Sequence, residues 1–201
     1  MNLAIFLNRL EKRGEGLMLL PSKKDIAEML GKKPEDVVVG YASSIADLFH
    51  AGHVAYLREA KNHCDYLIVG IVDDPTIDRV WKNKPVQSLL ERYIQVASCV
   101  YADCVIPLSH EQDLRDSLLL LQPDVRFVGE EYKTMSFTGD DIEGIKIIYL
   151  PRQHSFSSTD LRRRVVVAEA DKICGSDEES KEADFKEENE DYIHDVGKQD
   201  Y

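Results

Sequence analysis

His50 and His53 are the residues of this chain whose types and spacing point most clearly to chemistry. Positions three apart share one face of a helix, so a helix that begins here directs both imidazoles the same way. The unpaired N–H groups of a helix N-terminus attract anions, and Gly52 has no Cβ to keep a bulky ligand from the backbone. The stretch predicts a phosphate-binding site, although two ordinary surface or core histidines would show the same spacing.

The segments on either side of these histidines predict how they are positioned. The apolar run at residues 37–41 is typical of a buried parallel strand, and residues 66–72 form a clearer one. Between them, residues 52–64 have the periodicity of an amphipathic helix. A strand, a helix and a second strand make a βαβ unit, in which ligands bind at the carboxyl ends of the strands. The two histidines lie at that edge.

The alternation of strands and helices continues along the chain. Further strands are predicted at 104–108, 125–128 and 145–150, and further helices at 88–101, at 109–121 and from 158 onward. Ser88 with Glu91 and Ser109 with Gln112 are candidate helix caps, and polar residues 73–87 form a loop long enough to cover a ligand. We expect an α/β fold: a Rossmann-like, doubly wound, parallel five-stranded sheet with helices on both faces.

The charge is unevenly distributed along the 201 residues. Residues 171–201 hold 12 of the 37 acidic residues but only 4 of the 25 basic ones. The rest of the chain is nearly balanced and lacks the basic footprint of a nucleic-acid-binding protein. We expect three regions: an N-terminal helical extension (1–36), the α/β domain (37–168) and a disordered acidic tail (169–201). Within the extension we expect a helix at 3–13 and another at 23–30, capped by Ser22 and packed against the domain.

The cellular location is predicted from the cysteines and from the apolar runs. The four cysteines form no C-x-x-C pair, which indicates buried free thiols in a reducing compartment. The apolar start at residues 3–7 is too short for a signal peptide, and no run approaches the length of a membrane span. We therefore expect a cytoplasmic protein.

Five segments of the chain carry a family resemblance. They are Ser-Ile-Ala-Asp-Leu-Phe-His-Ala-Gly-His at 44–53, Ala-Lys at 60–61 before Asp-Tyr-Leu at 65–67, Lys-Pro-Val at 84–86 with Glu-Arg at 91–92, Gly-Glu-Glu-Tyr at 129–132, and Arg-Gln-His-Ser-Phe-Ser-Ser-Thr at 152–159. In this order and spacing they resemble the cytidylyltransferase branch of the H-x-G-H nucleotidyltransferase superfamily. The resemblance covers roughly residues 37–166, and its first segment in the family reads Gly-x-Phe-Asp-x-x-His-x-Gly-His.

The resemblance implies an activity and a set of site residues. The activity is transfer of a cytidylyl group from CTP to a small, glycerol-3-phosphate-like phosphate monoester, with release of pyrophosphate and with Mg²⁺ held by the nucleotide phosphates. The implied catalytic residues are His50, His53, Lys61 and Arg152. The implied nucleotide-binding residues are Ser44, Ile45, Asp47, Gly52, Lys84, Gly129, Glu131, Ser157, Ser158 and Thr159. No protein metal ligand is implied, and family members are commonly homodimers.

The chain also departs from the family pattern. Ser44 replaces the glycine of the first segment, and residues 153–156 differ from the Thr-Glu-Gly-Ile of the last one. Because these changes flank the nucleotide pocket, an ATP-using adenylyltransferase that acts on a sugar phosphate, nicotinamide mononucleotide or phosphopantetheine stays open. So does a non-catalytic nucleotide- or DNA-binding protein. Asp47 is a helix cap, a ligand contact or both, and Arg92 either pairs with a carboxylate or lies at a dimer interface.

Overall fold

The computed structural model describes residues 20–173, which fall into two compact units, residues 20–158 and residues 159–173. The helices and strands are α1 (Lys23–Leu30), β1 (Val39–Ser44), α2 (Ala51–Lys61), β2 (Tyr66–Val72), α3 (Leu89–Ala97), β3 (Cys104–Leu108), α4 (Glu111–Leu121), β4 (Val125–Gly129), β5 (Lys146–Leu150) and α5 (158–173). Short 3₁₀ turns occupy Pro34–Asp36 and Glu130–Thr134. The helix expected at 3–13 lies outside the described residues.

The five strands form one parallel sheet in the order β3-β2-β1-β4-β5. The predicted fold class is therefore confirmed. The first three strands run from β1 outward to β3 at one edge of the sheet. The chain then crosses back and forms β4 on the other side of β1, so the strand order reverses between β1 and β4. In such sheets a ligand crevice forms outside the carboxyl ends of the strands at this switch point. The loops that follow β1 and β4 meet there.

Helices cover both faces of the sheet. On one face Ile26 of α1 and Leu118 of α4 belong to one buried apolar cluster, and on the other face Leu57 of α2 and Val96 of α3 belong to a second. The expectation that the helix at 23–30 packs against the domain is confirmed, because Ile26 is only 1% exposed. Helix α2, which carries the histidines at its start, is thus fixed by its buried face.

Two of the three predicted helix caps are confirmed and one is wrong. Ser22 and Ser88 each accept a hydrogen bond from the third helical residue and form full capping boxes. Helix α4, however, begins after His110, and the carboxylate of Asp113 accepts from the backbone N–H groups of Ser109 and His110 at 2.7 and 3.0 Å. A carboxylate at the start of a helix is favoured by the helix dipole, and it replaces the expected Ser109–Gln112 pair.

The first strand lies later in the chain than predicted. We expected residues 37–41, but the 3₁₀ turn at Pro34–Asp36 delays the strand, and β1 continues until Ser44 pairs with Ile71. Ser43 and Ser44 therefore belong to the strand, beyond its predicted end at residue 41. This carries the polar end of β1 to the carboxyl edge of the sheet.

The thiols and the chain end are described only in part. Cys64 and Cys99 are half-buried and Cys104 is buried, all three as free thiols, and burial raises the pKa of Cys64 to about 12 and that of Cys104 to about 11. None of the helices within residues 20–173 is long and apolar enough to cross a membrane. The acidic region expected from 169 starts inside α5, and residues from 174 onward lie outside the described part of the chain.

Candidate nucleotide-binding site

The loop between β1 and α2 is held in an unusual conformation. Ala46 and Leu48 have φ values of 55° and 49°, in the left-handed region that non-glycine residues rarely adopt. The Ser44 hydroxyl supports this turn by accepting a hydrogen bond from the Ala46 N–H at 3.0 Å. Backbone strain of this kind persists only where the surroundings enforce it, and it is often found at ligand sites.

His50 and His53 cap the start of α2 together. His50 Nδ1 accepts a hydrogen bond from the Gly52 N–H at 3.0 Å, and His53 Nδ1 accepts one from the His50 N–H at 3.3 Å. The two ring centroids are 4.1 Å apart. Because both Nδ1 atoms act as acceptors, the proton of each neutral ring is placed on Nε2. The pair thus presents two Nε2–H donors at the helix N-terminus.

Ser158, in the segment after β5, joins the hydrogen-bond network of the two histidines. Its hydroxyl donates to the Asp47 carbonyl at 3.0 Å and lies 3.2 Å from His50 Nε2. Since the hydroxyl has only one proton, which it donates to Asp47, it accepts from the Nε2–H of His50. A ligand oxygen that takes the place of the Ser158 hydroxyl would receive the same hydrogen bond.

His53 is neutral over the physiological pH range. Burial lowers its pKa from 6.5 to about 4; a proton on His53 would also be repelled by Arg152 and by His50 or His154 when these rings are charged, while the Asp47 carboxylate opposes this effect. A neutral imidazole donates a hydrogen bond without releasing or taking up a proton. His53 is therefore suited to binding an oxyanion rather than to acid–base catalysis.

Gly52 makes room for two imidazole rings. A Cβ at this position would lie 2.7 Å from Cε1 of His50 and 2.9 Å from Cε1 of His154. His154, one of the departures from the family pattern, lies beside Phe156 with ring centroids 5.2 Å apart and ring planes tilted by 32°, and its buried Nδ1 has no hydrogen-bond partner. Nothing in local sequence patterns signals this third histidine, because only the fold brings residue 154 to residue 52.

Arg152 supplies positive charge next to the histidines. It follows β5, its side chain is exposed, and its guanidinium donates to the backbone carbonyl of Phe156. Its charge contributes to the lowered pKa of His53. The structure therefore brings together Arg152, His50, His53, Gly52 and Ser158, as expected. Ser157 precedes Ser158, and Thr159 is an exposed residue of the second unit.

Asp47 anchors the loop of residues 73–87. Its carboxylate is 3% exposed and accepts hydrogen bonds from the N–H groups of Val86 and Gln87 at 2.9 and 3.0 Å. The cap of α2 is His50, so the alternative that Asp47 caps this helix is wrong. The same loop carries Lys84, whose side chain is 79% exposed and lies 3.7 Å from Asp74.

Arg92 ties the loop to the ends of two strands, a role that the sequence did not reveal. The guanidinium is 1% exposed and donates to the carbonyls of Ile45, Val72 and Asp73 at 2.8, 2.6 and 2.7 Å. It also donates to the Gln87 carbonyl at 3.1 Å. The expected carboxylate partner exists but is secondary, at 3.4 Å from Asp73. Arg92 is a positioning residue behind the site.

Lys61 is not part of this cluster. It ends α2, forms an ion pair with Asp103, and donates to the Asp65 carbonyl at 2.6 Å. Asp65 and Asp103 immediately precede β2 and β3, so Lys61 lies at the amino edge of the sheet, opposite the histidines. The eight residues from His53 correspond to roughly 12 Å of helix directed away from the site. The expected phosphate contact of Lys61 does not fit this geometry.

A cavity of about 1040 Å³ adjoins the loop after β1. Ser44, Ile45 and Gly129 line it, as do residues of β4 and of the segment that follows, but His50 and His53 do not. Glu131 folds back over Gly129 so closely that a Cβ there would lie 2.3 Å from its carboxylate oxygen. The expected nucleotide-binding residues thus divide between the histidine cluster and this cavity.

Comparison with known proteins places the chain in a family. Residues 41–164 match the family model described as cytidylyltransferase-like. The bifunctional protein HldE of Campylobacter jejuni subsp. doylei is 26% identical over 147 residues, which are 73% of this chain and 31% of that protein. The ethanolamine-phosphate cytidylyltransferase of Dictyostelium discoideum is 39% identical over 106 residues, 49% of this chain and 29% of that protein.

Among solved structures, the lipopolysaccharide core biosynthesis protein from Thermoplasma volcanium GSS1 is 22% identical, with a TM-score of 0.48, covering 60% of this chain and 99% of that one. The chain spans less than a third of the length of the two curated relatives. The matched family model nevertheless covers more than half of the chain and includes the whole histidine site. The chain belongs to the cytidylyltransferase-like family.

Proposed function

We propose that this protein is a nucleotidyltransferase that moves a cytidylyl group from CTP to a small, glycerol-3-phosphate-like phosphate monoester and releases pyrophosphate. The observation that carries the proposal is the reciprocal capping of His50 and His53, which puts both ring protons on Nε2 at a helix N-terminus, where the His50 Nε2–H binds the Ser158 hydroxyl that a phosphate oxygen can replace. Membership of the cytidylyltransferase-like family and the cytidylyltransferase activity in the name of the Dictyostelium relative support the choice of CTP.

The chemistry explains why the site holds donors and cations but no activated nucleophile. A phosphate monoester has a second pKa near 6 and is largely dianionic at neutral pH, so it needs no strong general base. Its oxygen attacks the α-phosphorus, a new P–O bond forms, and the bond to the β-phosphate oxygen breaks to release pyrophosphate. Catalysis then depends on alignment and on stabilising the charge of the transferring group.

Each residue of the cluster has a part in this proposal. His50 and His53 donate to the α- and β-phosphate oxygens, and Arg152 neutralises charge on the β- and γ-phosphates. Lys84 reaches in from the loop of residues 73–87, and Ser157, Ser158 and Thr159 offer hydroxyl and backbone donors. Ser44, Ile45, Gly129 and Glu131 surround the nucleoside. Lys61 has no direct part, because it lies at the opposite edge of the sheet.

The described residues offer no magnesium site made of protein side chains alone. Residues 20–173 contain no group of three or more His, Cys, Asp or Glu side chains arranged to hold a metal. The Asp47 carboxylate, the acidic group closest in sequence to the histidines, already binds two backbone N–H groups. We therefore propose Mg²⁺ only as part of the substrate, bound through the nucleotide phosphates as this ion usually is. A homodimer and a cytoplasmic location stay predictions.

A two-step experiment tests the proposal. Thermal-shift measurements with CTP, ATP, GTP and UTP, each with Mg²⁺, identify the nucleotide, and we expect CTP to give the largest rise in Tm. Pyrophosphate release is then measured with CTP and a panel of phosphate monoesters, including glycerol 3-phosphate and phosphoethanolamine. A larger shift with ATP and turnover only with ATP would replace the cytidylyl group by an adenylyl group. A protein that binds DNA and releases no pyrophosphate would refute the proposal.

A further inference from the structure

The cavity next to the site contains a buried cation that the proposed chemistry does not use. Arg126 lies in β4, opposite Tyr41 of β1, and is 3% exposed. Its Nη1 donates to the Thr138 carbonyl, and its guanidinium carbon lies 5.0 Å from the ring centroid of Phe137. The buried Nε has no hydrogen-bond partner. One edge of the guanidinium, Nε with Nη2, is therefore unused.

The acidic groups around Arg126 already have other partners. Glu111 binds Arg79 at 2.7 Å and the Thr138 hydroxyl at 2.6 Å, and Asp140 accepts from Ser136 at 2.9 Å. Asp141, in turn, binds Arg115 through two hydrogen bonds of 2.6 and 2.8 Å. Within residues 20–173 Arg126 has no ion pair of its own. A buried charge without a partner is costly, so proteins keep one mainly where a ligand or partner supplies the opposite charge.

The cavity offers space for that missing partner. Arg126 lines the same 1040 Å³ cavity as Ser44 and Ile45, which lead into the histidine loop. Tyr41, the strand partner of Arg126, precedes Ser44 by three residues, or roughly 10 Å of strand. An acceptor that shares this cavity with the nucleoside can therefore have its phosphate at the carboxyl edge of the sheet and its other end at Arg126.

We propose that the acceptor substrate carries a second anionic group, a carboxylate, at the end opposite its phosphate, and that Arg126 binds it. The Nε and Nη2 donors form the planar edge that matches a planar carboxylate bidentately, while Phe137 covers one face of the guanidinium. The inference rests on the proposed function for the identity of the acceptor. It narrows the substrate class from phosphate monoesters to carboxylated phosphate monoesters.

Matched acceptor pairs test this inference. O-phosphoserine and phosphoethanolamine differ by one carboxylate, and 3-phosphoglycerate and glycerol 3-phosphate differ by a carboxylate in place of a hydroxymethyl group. Pyrophosphate release with CTP is measured for all four, and binding of each compound alone is measured by calorimetry. We expect the carboxylated member of at least one pair to have a kcat/KM and an affinity about tenfold or more higher, the scale of a hydrogen bond to a charged group.

A pair of variants tests the role of Arg126. Arg126→Met removes the charge with a side chain of similar shape, and Arg58→Met is the control, because Arg58 is exposed on α2. We expect Arg126→Met to abolish the preference by raising KM for the carboxylated acceptor, with its Tm not lowered, and Arg58→Met to retain the preference. A lowered Tm in Arg126→Met together with an unchanged preference for the carboxylated acceptor would show that Arg126 is structural and would overturn the inference.

The two proposals fail in different ways. Turnover without any preference for the carboxylated acceptor, in the presence of intact Arg126, overturns this inference and leaves the proposed function standing. Binding of a carboxylated compound that depends on Arg126, without pyrophosphate release for any acceptor, refutes the proposed function and keeps Arg126 as an anion site.

Discussion

The position of one proton on each imidazole determines what the histidine pair can do. Backbone N–H groups donate to both Nδ1 atoms, so each neutral ring carries its proton on Nε2, and that of His50 is donated to the Ser158 hydroxyl. A residue without an acceptor at the Nδ1 position could not cap the helix in this way and present a donor at the same time. This dual requirement excludes lysine, which has no acceptor, from both positions.

Replacing Gly52 by alanine tests this arrangement without removing a functional group. The new Cβ would lie 2.7 Å from His50 Cε1, so the His50 ring must move. The preference of about 1 kcal/mol for alanine over glycine inside a helix is offset by the cost of moving the His50 ring, which caps this helix, so we expect Tm to change little. We expect kcat to fall by roughly tenfold to a hundredfold, on the scale of losing one oriented donor. Unchanged kcat in a stable Gly52→Ala protein would show that the ring position is unimportant.

The lowered pKa of His53 predicts how stability depends on pH. Between pH 6.5 and about 4 the unfolded chain binds a proton at His53 that the folded protein does not bind. The free energy of unfolding should therefore decrease as the pH falls through this window, by at most about 1.4 kcal/mol per pH unit from this residue. Urea unfolding at several pH values, compared between wild type and His53→Gln, isolates this contribution. Identical slopes in the two proteins would contradict it.

Sequence patterns predicted part of the site because part of it is local. His50, Gly52 and His53 lie within one helical turn, so their spacing alone predicted a shared direction and an anion site. His154 and Arg126 gain their roles from residues distant in the chain, and no spacing rule connects them. The helix that carries Lys61 was predicted correctly. That this helix runs away from the site, and so places Lys61 at the opposite edge of the sheet, follows only from the arrangement of the strands.

At the scale of elements, the loop of residues 73–87 is fastened at both ends. Asp47 accepts from the N–H groups of residues 86 and 87, while Arg92 donates to carbonyls of the loop and of both adjoining strands. The segment between these ties carries Lys84, whose side chain is exposed. Fixed ends with an exposed middle part suit a loop that positions one lysine over a ligand.

Asp47→Asn should loosen this loop. The amide retains one acceptor oxygen but loses the charge, and a hydrogen bond to a charged group contributes about 1.5–3 kcal/mol. We expect hydrogen exchange of the Val86 and Gln87 amides to accelerate about tenfold or more, with KM for the nucleotide raised.

Asp74→Asn is the matched control for hydrogen exchange alone, because Asp74 lies in the same loop and binds Thr76 rather than the 86–87 backbone, but it also lies 3.7 Å from Lys84. Equal exchange rates at residues 86 and 87 in the wild type and the Asp47 variant would show that this tie is unimportant. The sequence did not reveal the hydrogen bonds from residues 86 and 87 to Asp47, because capping rules apply to residues close in sequence and Asp47 lies 39 residues from Val86.

At the scale of the whole molecule, alternating apolar strands and amphipathic helices specified the parallel sheet. All five strands were found within a few residues of the expected places, and only β1 was displaced, by the turn at Pro34–Asp36. The strand order places the loops after β1 and β4 side by side. That neighbourhood, which follows from the handedness of the crossovers, creates both the histidine site and the cavity.

The amino edge of the sheet has a structural role, whereas the carboxyl edge carries the candidate site. At the amino edge Lys61 joins α2 to the residues before β2 and β3, and at the carboxyl edge the histidines and Arg152 form the candidate site. We therefore expect Lys61→Met to leave kcat unchanged and to lower Tm, because it removes the partner of Asp103. This variant is the natural control for the histidine variants, since Lys61 shares their helix.

The most direct measurement is the rate of pyrophosphate release at saturating nucleotide by His50→Ala and His53→Ala, beside the wild type and Lys61→Met. Two preorganised Nε2–H donors at the α- and β-phosphates predict that each histidine variant loses roughly 10²-fold or more in kcat while Lys61→Met does not. Near wild-type turnover in both folded histidine variants would contradict the central claim that this pair stabilises the transferring phosphate.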